Sequence, residues 1–102
     1  MERERDVERK LKREVEKMGG VCWKFTSSVS GVPDRLCLFP FGKLVFVELK
    51  RHGAKLRPLQ QRIIAKIRKL GFRVEVIDSE QGIQELIGSI GAKNKKEDYE
   101  DV

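Results

Sequence analysis

The spacing of apolar residues along the chain predicts an alternation of amphipathic helices and short strands. Helices show apolar residues every three or four positions. They are predicted over 5–18, from Pro58 to about Leu70, and after Ser79 to about Ile90. Strands show short apolar or alternating runs between turn formers. They are predicted over 21–26, 35–39, 44–50 and 73–78.

The order of these elements, αβββαβα, predicts an α/β fold in which helices flank a mixed sheet. Strands 35–39 and 44–50 are joined by the short turn 40–43, which is typical of an antiparallel hairpin. The helix that begins at Pro58 separates the third and fourth strands, and such a connection carries the chain to a parallel neighbour. We expect one domain over residues 1–92, followed by a charged, flexible tail over 93–102.

The side chains assigned to the interior follow from the same periodicity. The helix after Pro58 is predicted to bury Leu59, Ile63, Ile64, Ile67 and Leu70. Trp23 and Phe25 alternate with polar residues in a predicted strand, so we expect them in the core rather than as surfaces for base stacking.

Charge makes a polyanion the favoured partner. The net charge is +6, and residues 50–73 hold nine Lys or Arg and no Asp or Glu. A block of one sign is typical of nucleic-acid binding, although a solvated helix face with a basic bias is the alternative.

The two cysteines indicate a reduced compartment rather than a metal site. Cys22 and Cys37 lie inside apolar runs without metal-ligand spacing, and the chain has one histidine, His52, which argues against a zinc site. Buried reduced thiols are typical of cytoplasmic proteins. The charged start of the chain does not resemble a signal peptide, and no apolar run approaches membrane-spanning length.

Three polar residues stand where strands meet an apolar core. Glu48 and Lys50 are two positions apart on a strand and therefore share a face. The hairpin brings Asp34, at the start of the neighbouring strand, close to Glu48. Two adjacent carboxylates repel unless a cation lies between them, and Mg²⁺ prefers oxygen ligands. Lys50 could then orient a water molecule or stabilise charge on a phosphate.

The first helix offers a third carboxylate, and a purely structural interpretation also stands. Glu8 flanks the apolar stripe and is the preferred candidate for this carboxylate. Glu4 is the alternative, but it lies closer to the end of the chain. Alternatively, Asp34 caps its own turn, and Glu48 pairs with Lys50 or Arg51 at the surface.

Four separated blocks resemble a stand-alone VRR-NUC (virus-type replication–repair nuclease) domain of the PD-(D/E)XK superfamily. They are G-V-P-D-R-L-C-L-F, L-V-F-V-E-L-K, K-L-R-P-L-Q-Q-R and L-G-F-R-V-E-V-I-D-S. The resemblance covers roughly residues 6–90. It implies a restriction-endonuclease-like core, a mixed sheet flanked by helices, which agrees with the element order.

The resemblance also implies an activity and a set of residues for it. The activity is metal-dependent hydrolysis of DNA phosphodiester bonds. Mg²⁺ is the expected cofactor, and Mn²⁺ can substitute for it. The matching metal ligands are Glu8, Asp34, Glu48 and the backbone carbonyl of Leu49. Lys50 matches the catalytic lysine, and Gln60 matches a glutamine that contacts this lysine or the scissile phosphate.

The expected substrate is DNA, since small stand-alone members resemble Holliday-junction resolvases and act as homodimers on branched DNA. Candidate phosphate contacts are Lys43, Lys55, Arg57, Arg62, Lys66 and Lys69. A bacterial or phage-infected cell is the expected setting, and DNA repair the expected process. Two alternatives remain open: a DNA-binding module that does not cut, and a nicking nuclease acting on plain duplex.

Overall fold

The fold is a four-stranded sheet with helices on both faces. The computed structural model describes the backbone of residues 3–100 and the side chains of residues 3–91. Its helices are α1 (Glu4–Lys17), α2 (Pro58–Lys69) and α3 (Glu80–Glu100). Its strands are β1 (Val21–Lys24), β2 (Arg35–Phe39), β3 (Lys43–Leu49) and β4 (Arg73–Ile77). The α/β class and the predicted order of elements are confirmed.

The sheet has the strand order β1-β2-β3-β4 and mixed polarity. Strands β1, β2 and β3 are antiparallel neighbours, whereas β4 runs parallel to β3. The predicted hairpin therefore forms, with the tight turn Pro40–Gly42 between β2 and β3. The predicted crossover forms as well, because α2 carries the chain from β3 to its parallel neighbour.

Helices α1 and α3 cover one face of the sheet, which holds the main core. The stripe that predicted α1 is buried there through Val7, Leu11 and Val15. These residues pack with inward-facing strand residues and with α3. The strand and α3 members are Cys22, Cys37, Phe39, Val45, Val47, Leu49, Ile77, Ile83, Leu86 and Ile90. Cys22 and Cys37 face each other across β1 and β2 with their sulfurs 3.6 Å apart, and both thiols are free and buried as predicted.

Helix α2 lies on the second face of the sheet, where it packs mainly against β4. Ile64 of α2 is buried there, as is Val74 of β4. The stripe predicted for α2 is too wide, since Leu59 and Leu70 are exposed. The helix covers only one side of the second face, so its outer apolar positions meet no strand.

The part of the second face formed by β1 and β2 stays open, which corrects the expectation for two aromatic residues. Trp23 is 57% exposed and Phe25 is exposed as well, so neither is a core residue. The prediction rested on alternation along β1, which identifies the face of a side chain but not whether a helix covers that face.

The loop between β1 and β2 reaches across the second face to α2. Gly31 lies in this loop with φ +88°, a conformation that favours glycine. A Cβ atom at this position would approach Leu59 and Ile63 of α2 to within 3.1–3.2 Å. This close approach fixes the segment that leads directly into Asp34.

The last helix begins at the predicted cap, where Ser79 Oγ accepts a hydrogen bond from the Gly82 backbone N–H at 3.3 Å. Helix α3 extends to Glu100, through most of the segment expected to be a tail; residues 101–102 lie outside the described residues. The flexibility of that segment stays a prediction. None of the helices in the described part of the chain has the length and apolar character that a membrane span requires.

Candidate active site

Asp34 and Glu48 are brought together by the register of the β2–β3 hairpin. Arg35 pairs with Val47, so Asp34 and Glu48 extend the ladder by one position. Asp34 Oδ1 accepts a hydrogen bond from the backbone N–H of Leu49 at 3.2 Å. The turn carboxylate is thus attached to the end of β3 rather than capping its own turn. This arrangement is the one predicted from the hairpin.

Glu48 is buried on the second face of the sheet, with 6% of its surface exposed. Its Oε2 accepts a hydrogen bond from Gln60 Nε2 at 3.3 Å. Gln60 is itself buried at the start of α2, where its Oε1 accepts a hydrogen bond from the backbone N–H of Arg57 at 2.9 Å. One side chain therefore caps the helix and holds the carboxylate, which fixes the orientation of the amide.

Lys50 shares the face of Glu48, as the two-residue spacing predicts. Its Nζ lies 3.8 Å from Glu48 Oε2, and its side chain is largely buried. The backbone N–H of Lys50 donates to the carbonyl of Ile77 at 2.9 Å, which anchors this position to β4. The ammonium group of Lys50 is consequently held beside the Glu48 carboxylate at the C-terminal end of β3.

The electrostatic state of Glu48 reflects this crowded position. Burial raises the pKa of Glu48 above its usual range, and the negative charge of Asp34 raises it further. Lys50 and a backbone hydrogen bond at Asp34 oppose the shift. The pair of carboxylates thus carries negative charge that the protein only partly compensates.

Arg35 is the residue that the sequence interpretation missed. It is a buried arginine whose guanidinium lies between two acids, with Nη2 2.9 Å from Glu8 Oε1 and Nη1 3.3 Å from Asp34 Oδ2. Nη1 also donates to the backbone carbonyl of Asp34 at 3.0 Å. The alternation of Arg35, Cys37 and Phe39 toward the core was the available signal, because an arginine at an inward position needs a partner.

The two acids of α1 occupy different surroundings. Glu8 is engaged by Arg35 and lines a cleft beside β1, together with Lys12 and Cys22. Glu4 lies one turn earlier, and its charge contributes to raising the pKa of Glu48. The charge of Glu4 therefore has a minor influence on the pKa of Glu48, while Glu8 is joined to Asp34 through Arg35.

The donors around Asp34 and Glu48 suit a hard divalent cation. They are carboxylate oxygens, and one of the carboxylates is buried next to another negative charge. Leu49, whose carbonyl is the further ligand predicted from the sequence, donates its N–H to Asp34. Among residues 3–91, no three His, Cys, Asp or Glu side chains lie close enough together to hold a metal ion. The described site therefore offers two carboxylates at its centre, with a first-helix acid at its margin.

The predicted DNA contacts are located mostly on and before α2. The exposed members of the set are Lys55, Arg57, Arg62, Lys66 and Lys69. Lys43 is half-buried at the start of β3, where it lines a cleft with Phe72 and Arg73. Because Gln60 ties the start of α2 to Glu48, the basic helix begins directly beside the two carboxylates.

Known proteins are similar to this chain in sequence and in fold. The family model described as VRR-NUC domain matches residues 3–81. A protein of Acyrthosiphon pisum secondary endosymbiont phage 1, provisionally named nuclease p44, is 47% identical over 79 residues; the match covers 76% of this chain and 85% of the phage protein. A solved structure titled VRR_NUC domain superposes with a TM-score of 0.79 at 34% identity, covering 83% of this chain and 94% of the other. The chain belongs to the VRR-NUC domain family.

Proposed function

We propose that this protein is a metal-dependent endodeoxyribonuclease that hydrolyses phosphodiester bonds in branched DNA. The observation that carries the proposal is the position of Glu48, a buried carboxylate held between Asp34, Lys50 and Gln60 at the open end of the sheet. Family membership and the phage relative named as a nuclease support it.

Mg²⁺ is the proposed cofactor, with Mn²⁺ as its substitute. Asp34 and Glu48 would hold the ion through their carboxylate oxygens, and Leu49, whose N–H donates to Asp34, would add its carbonyl as a further hard oxygen ligand. A bound divalent cation supplies charge neutralisation at the phosphate oxygens and a lower pKa for a water molecule.

The side chains of the chain itself orient the reacting groups. Lys50 carries a positive charge 3.8 Å from the Glu48 carboxylate, where it can position a water molecule and stabilise charge that develops on the phosphate. Gln60 restricts Glu48 to one orientation through its hydrogen bond. Asp34 is fixed by the Leu49 N–H and by Arg35. The proposed chemistry is thus in-line attack of water on phosphorus within a preorganised site.

The first-helix acid of this proposal is Glu4 rather than Glu8. Glu8 was the preferred match in the sequence, but its carboxylate is engaged by Arg35 at 2.9 Å. The charge of Glu4 is the smallest of the influences on the pKa of Glu48. We therefore propose that Glu4 adds negative charge at the margin of the metal site and that Glu8 supports Arg35.

Branched DNA and a homodimer complete the proposal. Two copies of a site held at a fixed separation can cut two strands symmetrically, which is the geometry a junction requires. The exposed basic side chains of α2 supply phosphate contacts that position DNA without reading its sequence. We accordingly expect little sequence preference. The proposed setting is the cytoplasm of a bacterial or phage-infected cell, with DNA repair as the process.

The test is a cleavage panel with purified protein. Labelled four-way junction, flap, linear duplex and single strand are incubated at equal salt with Mg²⁺, Mn²⁺ or EDTA, because salt alone changes DNA affinity steeply. We expect symmetric cleavage of the junction with either metal and none with EDTA. Equal cleavage of plain duplex would instead support a nicking nuclease. Binding of every DNA without cleavage of any would identify a DNA-binding module and overturn the proposal.

A further inference from the structure

The second face of the sheet carries four aromatic side chains, three of them in ring contact and the fourth, Trp23, separated from these by Leu36. Phe46 of β3 contacts Phe25 and Phe72 edge-to-face, with ring centroids 6.0 Å and 6.4 Å apart. Trp23 is in register with Leu36, which is in register with Phe46. Residues paired across a sheet share a face, so these four aromatic residues form one surface, termed here the aromatic face. Trp23 and Phe72 expose about half of their surface.

The aromatic face adjoins the proposed active site. Phe46 and Glu48 are two residues apart on β3 and therefore project from the same face. Phe25 donates its backbone N–H to the carbonyl of Asp34 at 2.9 Å. Two strand spacings and one two-residue step separate Trp23 from Glu48 along the sheet, which gives about 12 Å between their Cα atoms.

Positive charge borders this surface. At the β1 edge, Lys24 follows Trp23 and lines a cleft with Lys12 of α1. Alternation along β1 directs Lys24 to the face opposite to that of Trp23, so these two lysines lie across the edge strand from the aromatic face. On the other side, α2 presents Arg62 and Lys66 to solvent. Flat exposed rings bordered by cations match the chemistry of single-stranded DNA, whose bases stack on aromatic side chains while its phosphates contact lysine and arginine.

We propose that the aromatic face binds unpaired bases of the DNA strand whose phosphate is at the active site, with Trp23 as the main stacking residue. This inference rests on the proposed nuclease function and narrows its branched substrates to those with unpaired nucleotides near the cleaved bond: flaps, forks, and junctions whose base pairs at the branch point are opened. At a stacked rise of about 3.4 Å per nucleotide, and more when the strand is extended, Trp23 reaches bases about two to four nucleotides from that bond.

Trp23 provides its own reporter, because it is the single tryptophan of the chain. Intrinsic fluorescence is titrated in EDTA with a forked duplex carrying an unpaired arm and with a blunt duplex of the same sequence. A Glu48→Gln background prevents cleavage, so the titration measures binding alone. We expect the forked DNA to quench the fluorescence strongly and the blunt duplex to quench it little.

Variants then measure the contribution of the ring, with binding followed by the fluorescence anisotropy of labelled DNA, because a protein without Trp23 has no tryptophan signal. Trp23→Ala is expected to weaken binding of the forked DNA about 5- to 100-fold, with Trp23→Phe intermediate and the blunt duplex little affected. Leu70→Ala is the matched control, since Leu70 is an even more exposed apolar residue at the end of α2. Abasic nucleotides at the two-to-four-nucleotide positions should weaken binding to the protein with Trp23 intact and not to Trp23→Ala.

Each remaining outcome overturns the proposal in a distinguishable way. Forked DNA that binds without quenching, or Trp23→Ala that weakens forked and blunt DNA equally, removes the stacking role and leaves the nuclease proposal intact. Failure to bind any DNA removes both. If light scattering shows that Trp23→Ala converts a dimer into a monomer, then the aromatic face is the contact with a second copy of the chain and not with bases.

Discussion

Gln60 Nε2 lies 3.3 Å from Glu48 Oε2, so the first turn of α2 holds the buried carboxylate at the end of β3. The same side chain accepts the Arg57 N–H at the start of the helix. The position of the basic helix and the orientation of the proposed metal ligand are therefore set by one amide group. Disturbing this amide should affect both stability and activity.

Gln60→Ala is expected to lower the free energy of unfolding by about 1–2 kcal/mol, or Tm by about 5–15 °C, because it removes a helix cap and a buried hydrogen bond. Thermal unfolding followed by circular dichroism measures this effect. The neighbouring Gln61→Ala is the control, since Gln61 donates to the Leu56 carbonyl at an exposed position. Equal losses for the two variants would show that the Glu48 contact contributes no stability.

Glu48→Gln is expected to stabilise the metal-free protein at neutral pH by about 1 kcal/mol, as often found when an active-site charge is removed. The folded-state pKa of Glu48 is raised by burial and by Asp34 above the ordinary value of 4.5. Between pH 4.5 and the raised pKa of Glu48, the folded state therefore binds more protons than the unfolded state. The stability of the wild-type protein falls as pH rises through this range. The advantage of Glu48→Gln should vanish below pH 4.5 and grow above it.

The pH series is measured as Tm in EDTA, with Glu75→Gln as the control. Glu75 is a half-exposed strand residue that pairs with Arg73 at 3.4 Å, so its removal should change Tm little at any pH. A Glu48→Gln variant that is less stable than the unchanged protein at neutral pH would contradict the electrostatic description of the site.

The two acids of α1 should separate by their effects. Glu8→Gln is expected to reduce thermal stability and leave the affinity for Mn²⁺ nearly unchanged, because Glu8 contacts Arg35 and not the central carboxylates. Glu4→Gln is expected to do the reverse, since Glu4 acts on Glu48 through its charge. Calorimetric titration of Mn²⁺ and thermal unfolding give the two readouts. The reverse pattern would assign the metal site to Glu8, as the sequence match had it.

Arg35→Ala should destabilise the fold by about 1.5–3 kcal/mol, because the guanidinium makes charge-assisted contacts to two carboxylates from a buried position. Arg73→Ala, which removes one ion pair at a half-exposed position, is the control and should cost little. Denaturant unfolding compares the two. A similar small loss in both variants would show that the ion pairs of Arg35 contribute little to the free energy of unfolding.

Charge on α2 should control the salt dependence of DNA binding. Removing Arg62 and Lys66 together should reduce the slope of log affinity against log salt by about two, if each contacts one phosphate. Lys17→Ala is the control, since Lys17 pairs with Glu14 on α1 at 3.1 Å. Fluorescence anisotropy over a series of salt concentrations measures the slope. An unchanged slope would place the DNA elsewhere on the protein.

The sequence predicted the hairpin, the crossover and the proximity of Asp34, Glu48 and Lys50, because strand periodicity and a short turn determine register. It could not predict which parts of a sheet face are covered. Trp23 alternates as a buried residue would, yet α2 packs over β4 and leaves β1 open. The position of Arg35 between two acids was also hidden, since it depends on α1 packing across the start of β2.

The most direct test of the central claim is the single-turnover rate at which the protein cleaves a labelled four-way junction in Mg²⁺. Glu48→Gln, which keeps the shape of the side chain, is expected to lower this rate about 100-fold or more, as loss of a preorganised charge in an active site does. Glu75→Gln should leave it within about twofold, because that carboxylate pairs with Arg73 at the surface. If the Glu48→Gln protein cleaves the junction as fast as the unchanged protein, then the buried carboxylate is not part of the catalytic site and the account fails.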